Sequence, residues 1–224
     1  MTEVASESRP RSTVSLGAGS DELFRGLWAS VFHTGKISDK HVLICSADRW
    51  EGASTVACGL ALAGGDPAGD ARVALVDFNL RYPAIHRLMG LPQGPGVCEV
   101  ILKNEPTTTV ARSISRNLDV YTVGNLGARA LDALRSPGMS SFLSSLGQTY
   151  DHVLFDAAPA NLHPDAKVLA GAVKDVIMVI RTDQTPREAV AQAKRVLESG
   201  GGRVVGVVLN MRTFPLPRFL YRRV

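Results

Sequence analysis

Residues 41–63, HVLICSADRWEGASTVACGLALA, contain one complete α/β unit and decide the fold class. The first six residues form a short apolar run, which predicts a buried strand. Residues 54–63 predict a helix, and the segment between the two predicts a tight loop that contains Gly52. The order of buried strand, loop and helix then recurs along the chain.

Five further apolar runs predict strands, and helical patterns lie between them. The strands are expected at 72–76, 118–123, 152–155, 176–180 and 203–209, and the helices at 83–89, 137–146, 165–172 and 187–198. The central strands are apolar throughout, which is typical of a parallel sheet covered on both faces. We therefore predict a doubly wound α/β fold, in which helices flank a mostly parallel sheet and ligands bind at the carboxyl ends of the strands.

The length of 224 residues is enough for one hydrophobic core. Residues 1–19 are polar and lack periodicity, so we predict a disordered segment there. Ser20 is the expected N-cap of a first helix, and the folded domain is predicted to cover 20–211. Residues 212–224 form a basic tail with proline and aromatic residues.

The formal net charge is +4, from 25 basic and 21 acidic residues, and four arginines without any acid follow Met211. The positive excess therefore belongs to the tail. The body of the chain gives no electrostatic reason to bind nucleic acid.

The sequence also predicts a cytoplasmic protein with reduced thiols. No apolar run approaches the ~18 residues that cross a bilayer, and the N-terminus lacks the apolar stretch of a secretory signal. Cys45, Cys58 and Cys98 are widely spaced and have no metal-binding pattern, so we expect them to be core residues.

Four segments at the ends of predicted strands carry motifs. Residues 47–54 match the phosphate-loop pattern G/A-x-x-x-x-G-K-S/T at Ala47, Gly52 and Ser54, but Ala53 stands in place of the lysine. The other segments are LVDFNLRYP at 75–83, YDHVLFDAAP at 150–159 and VVLN at 207–210. In this order the four resemble the cytoplasmic domain of bacterial tyrosine kinases (BY-kinases), P-loop proteins of capsule and exopolysaccharide assembly that are related to the MinD and ParA ATPases. The resemblance covers residues 20–211.

The resemblance implies a site for ATP or ADP with Mg²⁺. It makes Asp77 and Asp156 the catalytic and metal-binding acids and Ser54 the hydroxyl ligand of the metal. The residues implied to hold the nucleotide are Gly52, Ala53, Ser54, Thr55 and, at the adenine edge, Asn210. In an inactive relative, the two acids would instead bond to Ser54 or to backbone N–H groups, and Asn210 would be a turn residue.

The resemblance also implies partners. Glu22, Arg25 and Trp28 occupy the places of the E-x-x-R-x-x-R signature used for ring assembly, with Trp28 where the last arginine belongs. A homo-oligomer, a hetero-oligomer with an active kinase, and a membrane polysaccharide co-polymerase (chain-length determinant) are the expected assemblies. Tyr221 in the tail is the candidate phosphosite. The tail's apolar and basic side chains predict either contact with a partner or with the inner face of the membrane, or a solvated, mobile end.

The phosphate loop lacks groups that phosphoryl transfer needs. Ala53 supplies no positive charge for the β and γ phosphates. Trp50 replaces a glycine that lets the backbone approach them, and Arg49, where the family has proline, lies too far out to substitute for the lysine. Asn79 stands where the family has a second acid. We therefore expect impaired catalysis.

Three functions stay open on these residues. The first is a non-catalytic regulatory or scaffold subunit of exopolysaccharide synthesis and export, and the second is an active or weak tyrosine autokinase or ATPase. The third is a positioning protein of the MinD or ParA type, which would carry a second lysine early in the loop where this chain has Asp48.

Overall fold

The described part of the chain comprises residues 18–35, 37–125 and 130–212 of a computed structural model, and it alternates strands with helices. The strands are β1 (His41–Ser46), β2 (Val73–Phe78), β3 (Arg112–Ser115), β4 (Leu118–Tyr121), β5 (His152–Ala157), β6 (Asp175–Arg181) and β7 (Arg203–Asn210). The helices are α1 (Ala18–Phe32), α2 (Ala53–Gly64), α3 (Ile85–Leu88), α4 (Val97–Lys103), α5 (Ala130–Ala133), α6 (Gly138–Thr149), α7 (Asp165–Val173) and α8 (Arg187–Ser199).

The seven strands form one sheet in the order β3-β4-β2-β5-β1-β6-β7. Every neighbouring pair is parallel except β3 and β4, which are antiparallel. The central strands β1, β2 and β5 are buried along nearly their whole length, as continuous apolar runs require. The predicted doubly wound, mostly parallel α/β fold is confirmed.

An apolar cluster covers each face of the sheet. On one face, Trp28 of α1 and Leu60 of α2 pack against the strands. On the other face, Ile101 of α4, Phe142 of α6 and Leu169 of α7 do the same. Burial of these side chains is the main favourable term in folding, and it fixes the carboxyl ends of the central strands relative to one another.

Several predicted element boundaries were wrong. Helix α1 begins at Ala18, so Ser20 lies inside the helix and does not cap it. The helix after β2 is only the single turn Ile85–Leu88, and Pro83 lies outside it. The sequence reading also missed β3, α4 and α5. Strand β3 is a four-residue edge strand without a buried apolar run, which leaves little periodic signal.

The thiols of Cys45, Cys58 and Cys98 are free and buried, as predicted. Burial raises the pKa of Cys45 and of Cys98 to about 12 and also raises the pKa of Cys58, so these thiols are poor nucleophiles. Among the described helices, none combines the length and apolar character needed to cross a bilayer. Residues 1–17 and the tail from residue 213, including Tyr221, lie outside the described residues.

Candidate functional site

A cavity of about 580 Å³ opens at the carboxyl edge of the sheet, next to the ends of β1, β2 and β5. Its walls come from the loop between β1 and α2, from the segment that joins β2 to α3, and from residues after β5 and β7. The side chains and backbone that line it include Trp50, Gly52, Ser54, Tyr82, Pro159 and Met211. The site therefore lies where the strand topology predicted it.

The loop between β1 and α2 has the backbone shape of an anion cradle. Gly52 adopts a left-handed conformation with φ 85° and leads directly into α2, where the N–H of Val56 donates to its carbonyl at 3.0 Å. The first N–H groups of a helix have no partner within the helix and carry the positive end of its dipole. A phosphate group at this end of α2 would be favoured by both effects.

The chain's own hydrogen bonds hold the loop in place. The buried carboxylate of Glu51 accepts from the backbone N–H of Asp48 at 2.9 Å and from the hydroxyl of Thr185. The carbonyl of Glu51 accepts from Nδ2 of Asn210 at 2.9 Å. A Cβ at Gly52 would collide with this same Nδ2 atom. Asn210, implied to read adenine, is thus engaged with the loop itself, and the role of Glu51 was missed because nothing in the pattern shows a buried acid there.

Asp77 and Asp156 lie side by side on β2 and β5, in register with each other and fully buried. Oδ2 of Asp156 accepts from the hydroxyl of Ser54 at 2.7 Å, and its Oδ1 accepts no hydrogen bond from any described residue. The two oxygens of Asp77 accept from the backbone N–H groups of Asn79 at 3.0 Å and of Ile85 at 3.1 Å. Asp77 therefore fixes the entry into α3 as well as facing Asp156.

Burial makes both acids hard to ionise. It raises the pKa of Asp77 to about 7, against the opposing effect of the N–H groups of Asn79 and Ile85. Burial and, second, the charge of Asp77 raise the pKa of Asp156 well above its ordinary value, while the hydrogen bond from Ser54 acts in the opposite direction. Two adjacent carboxylates favour either a shared proton or a nearby cation.

These residues fit a magnesium ion only in part. The Ser54 hydroxyl and the unpaired Oδ1 of Asp156 are suitable oxygen ligands, and Mg²⁺ usually takes its remaining ligands from phosphate groups and water. Both oxygens of Asp77 already face backbone N–H groups. Oδ1 of Asn79 accepts from the N–H of Tyr82 at 3.1 Å, so this side chain serves the turn after β2. No described group of three or more His, Cys, Asp or Glu residues has the arrangement of a metal centre.

The positive charge around the cavity comes from arginines. Arg49 lies over the ring of Tyr82, with its guanidinium carbon 4.5 Å from the ring centroid, and donates to the Tyr82 hydroxyl. Arg81 forms an ion pair with the buried Asp165 at 2.9 Å. Arg87 is an exposed residue of α3 that also lines the cavity. Ala53 is buried among apolar neighbours and brings no charge.

Sequence comparison gives the family. The chain is 31% identical over 172 residues to the tyrosine-protein kinase YwqD of Bacillus subtilis (strain 168), an alignment that covers 76% of this chain and 72% of YwqD. The chain belongs to the bacterial tyrosine kinases. It is also 28% identical to the putative tyrosine-protein kinase CapB of Staphylococcus aureus over 204 residues, covering 90% of this chain and 86% of CapB. No family model matches the sequence.

Solved structures of BY-kinase domains share the fold. The kinase domain of Escherichia coli tyrosine kinase ETK superimposes with a TM-score of 0.81 at 20% identity, over 96% of this chain and 88% of that domain. The VpsO kinase domain gives a TM-score of 0.78 at 25% identity, over 87% and 95% of the two chains. A ParA family ATPase from Chlorobium tepidum TLS gives 0.60 at 18% identity, over 76% and 74%. The predicted membership of the bacterial tyrosine kinases is confirmed, and the likeness to the ParA family ATPase is one of fold.

The three residues of α1 that the resemblance implies for ring assembly are split between surface and core. Glu22 and Arg25 are exposed, and Arg25 pairs with Asp66 at 2.7 Å. Trp28 is only 8% exposed, with its ring centroid 4.1 Å from that of Phe32. The residue in the place of the last arginine therefore packs inside its own chain, whereas the first two positions stay accessible to another subunit.

Proposed function

We propose that this chain is a non-catalytic BY-kinase, a regulatory or scaffold subunit in exopolysaccharide or capsule synthesis and export. The observation that carries the proposal is Ala53. It occupies the place of the loop lysine, it is buried among apolar side chains, and it leaves the loop itself without a cation beside the transferred phosphoryl group.

The chemistry explains why this substitution weighs more than the others. Phosphoryl transfer depends on positioning and on positive charge that stabilises the developing negative charge on the phosphoryl oxygens. Losing one preorganised electrostatic contact of this kind lowers turnover by about a hundredfold to a thousandfold in well-studied enzymes. The loop nevertheless keeps its shape through Glu51, Thr185 and Asn210, so the fold and its surfaces do not depend on catalysis.

The partners follow from the family and are part of the proposal. We expect the chain to act at the inner face of the cytoplasmic membrane, docked on a polysaccharide co-polymerase or assembled with itself or with an active kinase. The exposed Glu22 and Arg25 on α1 support a subunit interface there. The oligomeric state with and without an active kinase domain, measured by light scattering, tests this part independently.

A turnover experiment tests the central claim. The purified chain is incubated with Mg-ATP, and both ADP release and the intact mass are followed. We expect no release above background and no added phosphate, whereas a Trp50→Gly/Ala53→Lys/Asn79→Asp variant, which restores the family residues, is expected to gain turnover. Phosphate on Tyr221 of the unmodified chain that disappears in Asp77→Asn would overturn the proposal.

One observation favours a second candidate, a weak tyrosine autokinase. Ser54, Asp77 and Asp156 are retained and lie together, and burial raises the pKa of Asp77 to about 7, a value that suits a general base at neutral pH once the carboxyl group is released from its two backbone N–H donors. The same mass measurement separates the two candidates. The likeness to the ParA family ATPase is one of fold, so a positioning function remains a prediction that vesicle co-sedimentation with and without nucleotide tests.

A further inference from the structure

We propose that Arg87 replaces the missing loop lysine, and that the cavity binds a diphosphate or triphosphate group between this guanidinium and the N–H groups at the start of α2. The inference rests on the proposed function, because it assigns a ligand to a site that does not turn it over. It concerns a residue outside the phosphate loop that no motif pointed to.

The position of Arg87 is set by a hydrogen bond between α3 and the end of β2. Asp77 accepts the N–H of Ile85 at 3.1 Å, which ties the first turn of α3 to the end of β2. Arg87 follows two residues later and lines the same cavity as Gly52, Ala53 and Ser54. The guanidinium therefore approaches the phosphate position from the wall that faces the loop, whereas the family's lysine would approach it from within the loop.

The other two arginines of the cavity have different roles. Arg49 is stacked on Tyr82 in the outer wall, and Arg81 is held by the buried carboxylate of Asp165. Burial raises the pKa of Asp77, which lies behind the cavity wall, and the charge of Arg87 acts in the opposite direction together with the backbone N–H donors. The planar guanidinium group of arginine also matches the geometry of phosphate oxygens, because it can donate two parallel hydrogen bonds.

The carboxylate behind Ser54, a residue that lines the cavity, supplies a second, independent sign of a ligand. Asp156 is fully buried next to the first turn of α2, and its Oδ1 accepts no hydrogen bond from a described residue. A buried carboxylate oxygen without a donor is costly, and a cation that accompanies a phosphate group would satisfy it. The N-terminus of α2 and the guanidinium of Arg87 would hold the phosphate oxygens, and this oxygen and the Ser54 hydroxyl would supply two of the ligands of the accompanying cation.

Calorimetric titration tests the proposal with Mg-ADP and Mg-pyrophosphate as probes and adenosine as the probe without phosphate. We expect ADP and pyrophosphate to compete for one site and adenosine not to bind. Arg87→Gln is expected to weaken both phosphate ligands by about tenfold or more, as the loss of one charged hydrogen bond implies. Arg195→Gln on α8, an exposed arginine outside the cavity, is the matched control and is expected to bind like the unmodified chain.

A rescue variant shows whether Arg87 stands in for the lysine. Ala53→Lys added to Arg87→Gln is expected to restore binding, because it returns the charge from the loop side. If Arg87→Gln does not fold by circular dichroism, Arg87→Met keeps the aliphatic stem and serves in its place. Absence of any phosphate-dependent binding to the unmodified chain, or equal affinities of the Arg87 and Arg195 variants, would overturn the inference. Either result leaves the non-catalytic function standing, which only ATP turnover contradicts.

Discussion

The phosphate loop has two halves that depart from the family pattern to different degrees. We call residues 47–50 the outer half and residues 51–54 the inner half. In the outer half, Arg49 and Trp50 stand where the resemblance implies a proline and a glycine, and both residues line the cavity. The inner half retains Gly52 and Ser54 and has lost only the lysine.

The contacts of the two halves explain this difference. Glu51 is tied to Thr185 and Asn210, and Ser54 to Asp156, so a change at these positions disturbs the structure as well as the ligand site. The side chain at the lysine position makes no hydrogen bond that holds the loop, and the small Ala53 packs among apolar neighbours there. Retention of Ser54 and of the two acids is therefore no sign of catalysis, because the same residues hold the loop and the turn into α3.

Among the variants that test this difference, Gly52→Ala is expected to change the free energy of unfolding most. A side chain at φ 85° costs about 1–2 kcal/mol, and the clash of its Cβ with Nδ2 of Asn210 adds about 1–3 kcal/mol. We expect the free energy of unfolding, measured by urea denaturation, to fall by about 3 kcal/mol. Gly206→Ala is the control, since a Cβ at Gly206 meets nothing within 4 Å. Equal losses in the two variants would show that the inner half is not held as described.

How much of this the sequence predicted depends on the kind of signal. The sheet, its direction and the position of the site followed from apolar runs and strand ends, because burial on both faces leaves a continuous pattern. Strand β3 was missed because it is half exposed. Helix α4 was missed because its N-cap is Gly96, where only the Glu99 carboxylate, 2.9 Å from the Gly96 N–H, marks the helix start.

The residues of the site were found more easily than their contacts. Asp77, Asp156 and Ser54 were identified through motifs. The hydrogen bonds that Glu51 makes with Thr185 and Asn210 join segments far apart in the chain, and they could not be identified in this way. Such pairings depend on how β7 and the β6–α8 connection approach the loop. No local pattern in one sequence records them.

The next largest effect is expected in the pH dependence of the free energy of unfolding, which tests the protonation of the buried Asp77. The pKa of Asp77 is raised from 3.8 to about 7 in the folded chain, so the folded state holds a proton that the unfolded state releases. The stabilisation is complete below the unfolded pKa and is lost as the pH rises through the folded one. Between about pH 5 and about pH 6.5 the free energy of unfolding should fall by about 2 kcal/mol through this group.

Asp77→Asn is the matched variant for that measurement, because asparagine carries no titrating proton. We expect its denaturation midpoint to change less steeply across the same pH range than that of the unmodified chain. The histidines titrate in both proteins, so their contribution cancels in the difference. Asp156 loses the part of its raised pKa that the charge of Asp77 causes, so the difference reports on the pair of acids. Identical slopes would mean that Asp77 is ionised in the folded chain at these pH values, and its backbone N–H donors would then outweigh its burial.

Trp50→Gly is expected to have the smallest effect, with the opposite sign. Trp50 adopts φ 65° and is 84% exposed, so its side chain gains little from packing while its backbone is strained. Glycine relieves the strain but adds freedom to the unfolded chain, and we expect the free energy of unfolding to rise by less than about 1 kcal/mol. Trp50→Ala, which keeps the strain and removes the same ring, is the control. A loss of stability in both variants would show that the indole packs against the cavity wall, and the outer half of the loop would then be as firmly held as the inner half.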